Sequence, residues 1–207
     1  MLSIVPNSSA TASIRLAGLA DIPAIARITA EGPQPADFEP AAMSRATRLL
    51  LTHVAFEHGA LWVEQMDGGP ITRAVMAIPA GHLPQQRSIL GRVSGQLGRP
   101  PTPLPAAALG FPDSILAELS SARSWWVLIE ISKPSQNRIG DPALLGTALR
   151  WVRAQSASGC DRVMVLTDTM PERAAAESLG FVEVGSGGQD WPWWLGMSDP
   201  VTQAIGL

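Results

Sequence analysis

Apolar and polar positions alternate along the chain in a way that divides it into short strands and amphipathic helices. Ser13 to Leu19 has the two-residue period of a strand, and Asp21 then opens a helix whose apolar stripe is Ile22, Ile25, Ala26 and Ile28. Asp21 is placed to cap that helix, with Pro23 in its first turn. Glu39 to His58 reads as a second helix, with Met43, Ala46, Leu50, Val54 and Ala55 on one side. Ala60 to Gln65 and Ile71 to Ile78 then form a predicted hairpin around Asp67, Gly68 and Gly69.

The pattern breaks between Pro79 and Arg123. Two weak helical segments, Gln85 to Leu97 and Pro112 to Ala122, flank a proline-rich stretch from Gly98 to Pro105. A long insertion of this kind covers a pocket or runs over the surface. Regular structure resumes at Trp125 to Ser132, a nearly continuous apolar run as expected of a central strand covered on both faces. Pro142 to Gln155 is a predicted helix with Leu145, Leu149 and Val152 in line and Arg150 and Arg153 turned to solvent. Arg162 to Thr167 is a buried strand, and Pro171 to Leu179 is a short helix stopped by Gly180. Thr169 and Glu172 have the spacing of a capping box at its start. A strand from Phe181 to Val184, a loop at Gly185 to Gly188 and a last strand from Trp191 to Met197 complete the order.

Strands alternating with helices in the second half imply crossovers and some parallel pairing. The expected fold is a mixed, mostly antiparallel sheet flanked by helices on both faces. It forms a single domain from residue 13 to residue 207 with 79–123 as a helical insertion, behind a loose tail over residues 1–12.

Bulk properties narrow the chemistry. The chain has 207 residues, 46% hydrophobic and 16% charged, which suits one sizeable core and excludes a disordered chain. A net charge of −3 gives no general attraction to nucleic acid or anionic lipid. No run approaches the ~18 consecutive apolar residues of a membrane span, and the N-terminus lacks the pattern of a signal peptide. The single cysteine, Cys160, makes no internal disulfide, so a reducing cytoplasm is the expected compartment. His53, His58 and His82 show no metal-ligand spacing with Cys160 or with acids, so no metal site is expected. Trp62, Trp125, Trp126 and Trp151 read as core, and Trp191, Trp193 and Trp194 as packing near the C-terminus or as an aromatic wall for a cationic amine.

Several residues carry a family resemblance. After the apolar strand, Pro134 and Gly140 stand at the spacing of the V-x-P-x-x-[Q/R]-x-x-G-x-[G/A] pattern, with Asn137 and Pro142 at two of its other positions. Leu179, Gly180 and Phe181 match a helix-ending turn. With the order of elements, these features resemble the GNAT acyltransferases over almost the whole chain. Gly59 to Val63, the long insert, and Trp125 with Trp126 are most similar to the puromycin N-acetyltransferase-like group.

The resemblance implies transfer of an acetyl group from acetyl-CoA to an amine acceptor, or alternatively a non-catalytic protein of that fold kept for binding or regulation. It implies that the pantetheine arm lies along Ile131 and Ser132. The phosphates would then meet Asn137, Arg138, Ile139, Gly140, Asp141 and Ala143 at the start of a helix. Asp141 and Pro142 equally suit a plain helix start, as N-cap and N1. Glu130 interrupts an apolar strand and is either a general base for the amine or the partner of an arginine such as Arg73. The tyrosine that such enzymes use to protonate the leaving thiolate is missing, because its position holds Ala176. Thr167 and Ser178 are the other hydroxyls nearby.

Overall fold

The computed structural model describes residues 12–31, 40–82, 125–132, 142–155, 162–167, 169–187 and 193–198. Seven strands form one sheet: β1 (Ala12–Leu16), β2 (Ala60–Met66), β3 (Ile71–Pro79), β4 (Trp126–Ser132), β5 (Val163–Thr167), β6 (Val182–Gly187) and β7 (Trp193–Ser198). Their order across the sheet is β1-β2-β3-β4-β5-β7-β6. Only β4 and β5 run parallel; every other neighbouring pair is antiparallel. That single parallel pair follows from the crossover between β4 and β5, which contains the helix Pro142–Gln155.

Two apolar clusters lie on opposite faces of the sheet, and the two-residue period of the strands sorts side chains between them. In β4, Val127 and Ile129 join one cluster and Leu128 the other. The first cluster is covered by α1 (Ile22–Glu31) and by α2 (Pro40–Leu50), which continues through a π-helical turn, Leu51–Ala55, into α3 (Phe56–His58). The second is covered by α4 (Pro142–Gln155), which contributes Leu144, Leu145, Ala148, Leu149 and Val152, and by α5 (Met170–Ser178), which contributes Ala176. Each large aliphatic side chain fully withdrawn from water in these clusters contributes ~1.5–3 kcal/mol.

Several boundaries differ from the sequence pattern, each for a local reason. Asp21 lies in a 3₁₀ turn (Leu19–Asp21), where its carboxylate accepts the Gly18 N–H at 2.8 Å instead of capping α1. The second helix is not uniformly α: it passes through a π turn, Leu51–Ala55, in which Leu51, Val54 and Ala55 are buried. Gly185 to Gly187, expected in a loop, belong to β6 and pair with Leu195, Trp194 and Trp193 of β7. An irregularity between Glu183 and Gly185 lets the strand continue through the glycines. Gly180 ends α5 in the left-handed region, with φ of 84°, as expected. The segments 83–124 and 133–141, and Cys160 and Trp191, lie outside the described residues.

Candidate active site

The α4/α5 face of the sheet carries a set of buried polar side chains. Glu130 sits in β4 between Ile129 and Ile131 and is only 7% exposed. Across the β3–β4 pair, Arg73, 6% exposed, donates from Nε to Glu130 Oε1 at 3.0 Å, and a terminal nitrogen of the same guanidinium contacts the same oxygen. The other terminal nitrogen lies 3.4 Å from Oε2 of Glu64, which β2 brings opposite Arg73. The Thr72 hydroxyl donates to Glu64 Oε1 at 3.0 Å. Burial alone pulls the Arg73 pKa down. The charge and hydrogen bonds of Glu130, then the charges of Glu64 and Glu172, outweigh it and hold the guanidinium above its ordinary value. Arg73 therefore stays cationic, and Glu130 lies in the arginine pair that the sequence allowed.

Next to this group β4 outruns its neighbour β5. Pairing between them stops at Ile129 with Leu166, whereas β4 runs on to Ser132. Ile131 and Ser132 are half-buried there and pair on their other side with Ala74 and Arg73 of β3. Thr167, the last residue of β5, is 2% exposed, and its Oγ1 is buried without a hydrogen-bond partner. Its neighbour across the β5–β7 pair is Trp194. Trp194 Nε1 donates to Glu183 at 3.0 Å, and its ring carries the Arg173 guanidinium 5.5 Å from its centroid. Trp194 is thus a packed wall on this face.

Helix α5 closes the group. Thr169 is its N-cap, and the Thr169 hydroxyl accepts the Glu172 N–H at 3.4 Å. The other half of the expected capping box is absent: both Glu172 carboxylate oxygens are buried with no hydrogen-bond partner. Glu172, Ala175, Ala176 and Leu179 follow the i, i+3, i+4, i+7 stripe of a helix, and the first three are buried. The stripe was legible in the sequence, but the capping-box spacing assigned Glu172 to the helix end. Ala176 is fully buried in the core and leaves no hydroxyl at its position. Ser178 donates to the Ala175 carbonyl at 2.6 Å, which commits its proton to the helix.

The remaining candidates divide by position. Asn137, Arg138, Ile139, Gly140 and Asp141 lie outside the described residues. Ala143 is exposed in the first turn of α4, where its carbonyl accepts the Thr147 hydroxyl. Trp62 and Trp126 pack edge-on against Trp151. Although sequence spacing separates the histidines, the fold stacks His58 on His82 with ring centroids 3.9 Å apart, and Glu57 lies beside both His53 and His58. No group of three or more metal-ligating side chains occurs among the described residues. No described helix is long and apolar enough to cross a membrane.

No model of a known protein family matches the sequence, and no curated protein does. Solved structures do. A polyamine N-acetyltransferase of Drosophila melanogaster is similar at a TM-score of 0.59 and 16% identity, over 91% of this chain and 100% of that one. The structure named SsHAT is similar at a TM-score of 0.60 and 20% identity, over 89% and 97%. A Corynebacterium glutamicum structure described as histone acetyltransferase HPA2 and related acetyltransferase is similar at 0.55 and 19%, over 92% and 97%. With its seven-stranded, mostly antiparallel sheet and its helices on both faces, the chain has the GNAT fold.

Proposed function

We propose that the protein is an N-acetyltransferase that moves an acetyl group from acetyl-CoA to a small-molecule amine. The observation that carries this proposal is the end of β4, which runs past its last pair with β5 beside buried Glu130 and Arg73, in a fold shared with acetyltransferases. Ile131 and Ser132 offer strand backbone for the pantetheine arm. Asn137, Arg138, Ile139, Gly140, Asp141 and Ala143 supply amides and one cation for the phosphates. In this proposal Glu130 takes a proton from the acceptor ammonium, and the freed amine attacks the thioester carbonyl. A C–N bond forms, the C–S bond breaks, and the proton shed by the acylated nitrogen balances the thiolate, which leaves as the thiol. Among similar solved structures, polyamine and agmatine N-acetyltransferases act on amines, so such cations are the first acceptors to try. The features shared with the puromycin N-acetyltransferase-like group favour a small molecule over a protein acceptor.

A second reading, a non-catalytic protein of this fold with a binding or regulatory role, draws its support from the Arg73 clamp on Glu130 and from buried Ala176. Incubation with acetyl-CoA and agmatine, spermidine or phosphinothricin, followed by assay of released thiol, separates the two. Amine-dependent thiol release supports transfer. Release that is equal with and without each amine supports the second reading.

A further inference from the structure

The orphaned acceptors at the α5–β5 junction are the strongest unexplained feature of the molecule. Buried polar atoms nearly always have partners, because withdrawing one from water without a hydrogen bond is costly. Here three such oxygens occur in residues five apart: Thr167 Oγ1 and both carboxylate oxygens of Glu172. The two residues are 2% and 3% exposed. They also share one side of the sheet. Thr167 continues the alternation of Val163 and Val165, and Glu172 precedes Ala176 on the helical stripe, all three of these apolar residues belonging to the α4/α5 cluster. Arg73 reaches Glu130 from the same face, near enough to feel the Glu172 charge.

The geometry points to Glu172 and Thr167 as a binding site for a primary ammonium group. Such a cation offers three N–H donors, one for each orphaned oxygen, and a charge opposite to that of the carboxylate. A neutral or anionic ligand group lacks one or both of these properties. Glu172 keeps this carboxylate inward instead of completing its capping box, which gives up a helix-end bond that the sequence is spaced to make. The inference deepens the transfer proposal, and rests on it, in identifying that ammonium as the acceptor's own.

Thermal unfolding of the full chain tests the site without acyl-CoA, with butylammonium chloride as probe and tetramethylammonium chloride, which has no N–H donor, as reference. Wild type is expected to gain about 3 °C in Tm from butylammonium over the reference at a concentration well above Kd. Glu172→Gln and Thr167→Val should each lose most of that gain, while Glu57→Gln, on the exposed face of α3, keeps it. Equal responses to the two cations, or a full butylammonium shift in folded Glu172→Gln or Thr167→Val, overturn the assignment. Failure here leaves acetyl transfer to its own thiol-release assay, and failure of transfer leaves the cation site standing.

Discussion

Arg73 on β3 grips Glu130 on β4 through Nε and a terminal nitrogen that both meet Oε1, while its other terminal nitrogen faces Glu64. Breaking a buried pair by removing one partner strands the other charge. Arg73→Ala should therefore destabilise the fold by ~3–5 kcal/mol in urea denaturation. Glu130→Gln, whose amide oxygen still accepts from the guanidinium, should cost clearly less. A loss within ~0.5 kcal/mol for Arg73→Ala, the range of ordinary surface substitutions, would show that the pair is not a structural element.

The other member of the pair, Glu130, is the proposed base. If Glu130 takes the acceptor proton, Glu130→Gln should leave KM for acetyl-CoA near wild type and lower kcat by ~10²-fold or more at neutral pH. Steady-state kinetics with both substrates varied checks this. Unchanged kcat/KM would leave Glu130 with the Arg73 pair as its whole role.

These two predictions sit where the sequence was most and least informative. The continuous apolar run Trp125 to Ser132 and the 3.6-period stripes of Ile22 to Ile28 and Leu145 to Val152 made the layers legible, because burial on both faces of a central strand and on one face of a helix dictates those patterns. Glu130 stood out as a charge inside an apolar strand. Its pairing with Arg73 depended on strand register, which sequence separation conceals, so two roles remained open for it. Glu172 was visible but assigned to a capping box, because local spacing does not tell whether a carboxylate turns back to its helix end or into the interior. Gly185 to Gly187 looked like a loop because glycine has no side chain to announce a strand; pairing with β7 supplies what composition lacks.

Arg15 and Asp21 make a bidentate pair at 2.7 and 2.8 Å at the start of α1. The Arg15 hydrogen bond, followed by the Gly18 N–H and the Arg15 charge, holds the Asp21 carboxyl below its ordinary value against a smaller opposing effect of burial. A lowered folded-state pKa gives stability that is present above the unfolded value, ~3.9, and lost as pH falls through the folded one. Arg15 is partly exposed, so the contribution at pH 7 is about 0.5–1 kcal/mol. Asp21→Asn should lower Tm at pH 7 by about 1–4 °C and show a shrinking difference from wild type in melts taken below pH 4.

Two glycines should respond differently to alanine. A Cβ on Gly59 would run into the Ala77 backbone oxygen, where β2 starts against β3, so backbone rather than a flexible side chain would have to shift. Gly59→Ala should destabilise by ~3 kcal/mol or more. Gly68, at φ of 63° in the β2–β3 turn, has nothing within 4 Å of such a Cβ, so Gly68→Ala should cost only the left-handed strain of ~1 kcal/mol. Equal losses in paired denaturation curves would contradict this difference in origin.

Recognition of acetyl-CoA is central to the whole functional account, since Ile131, Ser132, Asn137 to Asp141 and Ala143 are proposed to bind it. Its most direct test is thermal unfolding with and without acetyl-CoA. At 100 times Kd the ligand should add ~2.7 kcal/mol, a rise of about 5–10 °C in Tm for a chain of this size. No shift with millimolar acetyl-CoA or other acyl-CoAs would contradict the account and leave a GNAT fold put to a different use.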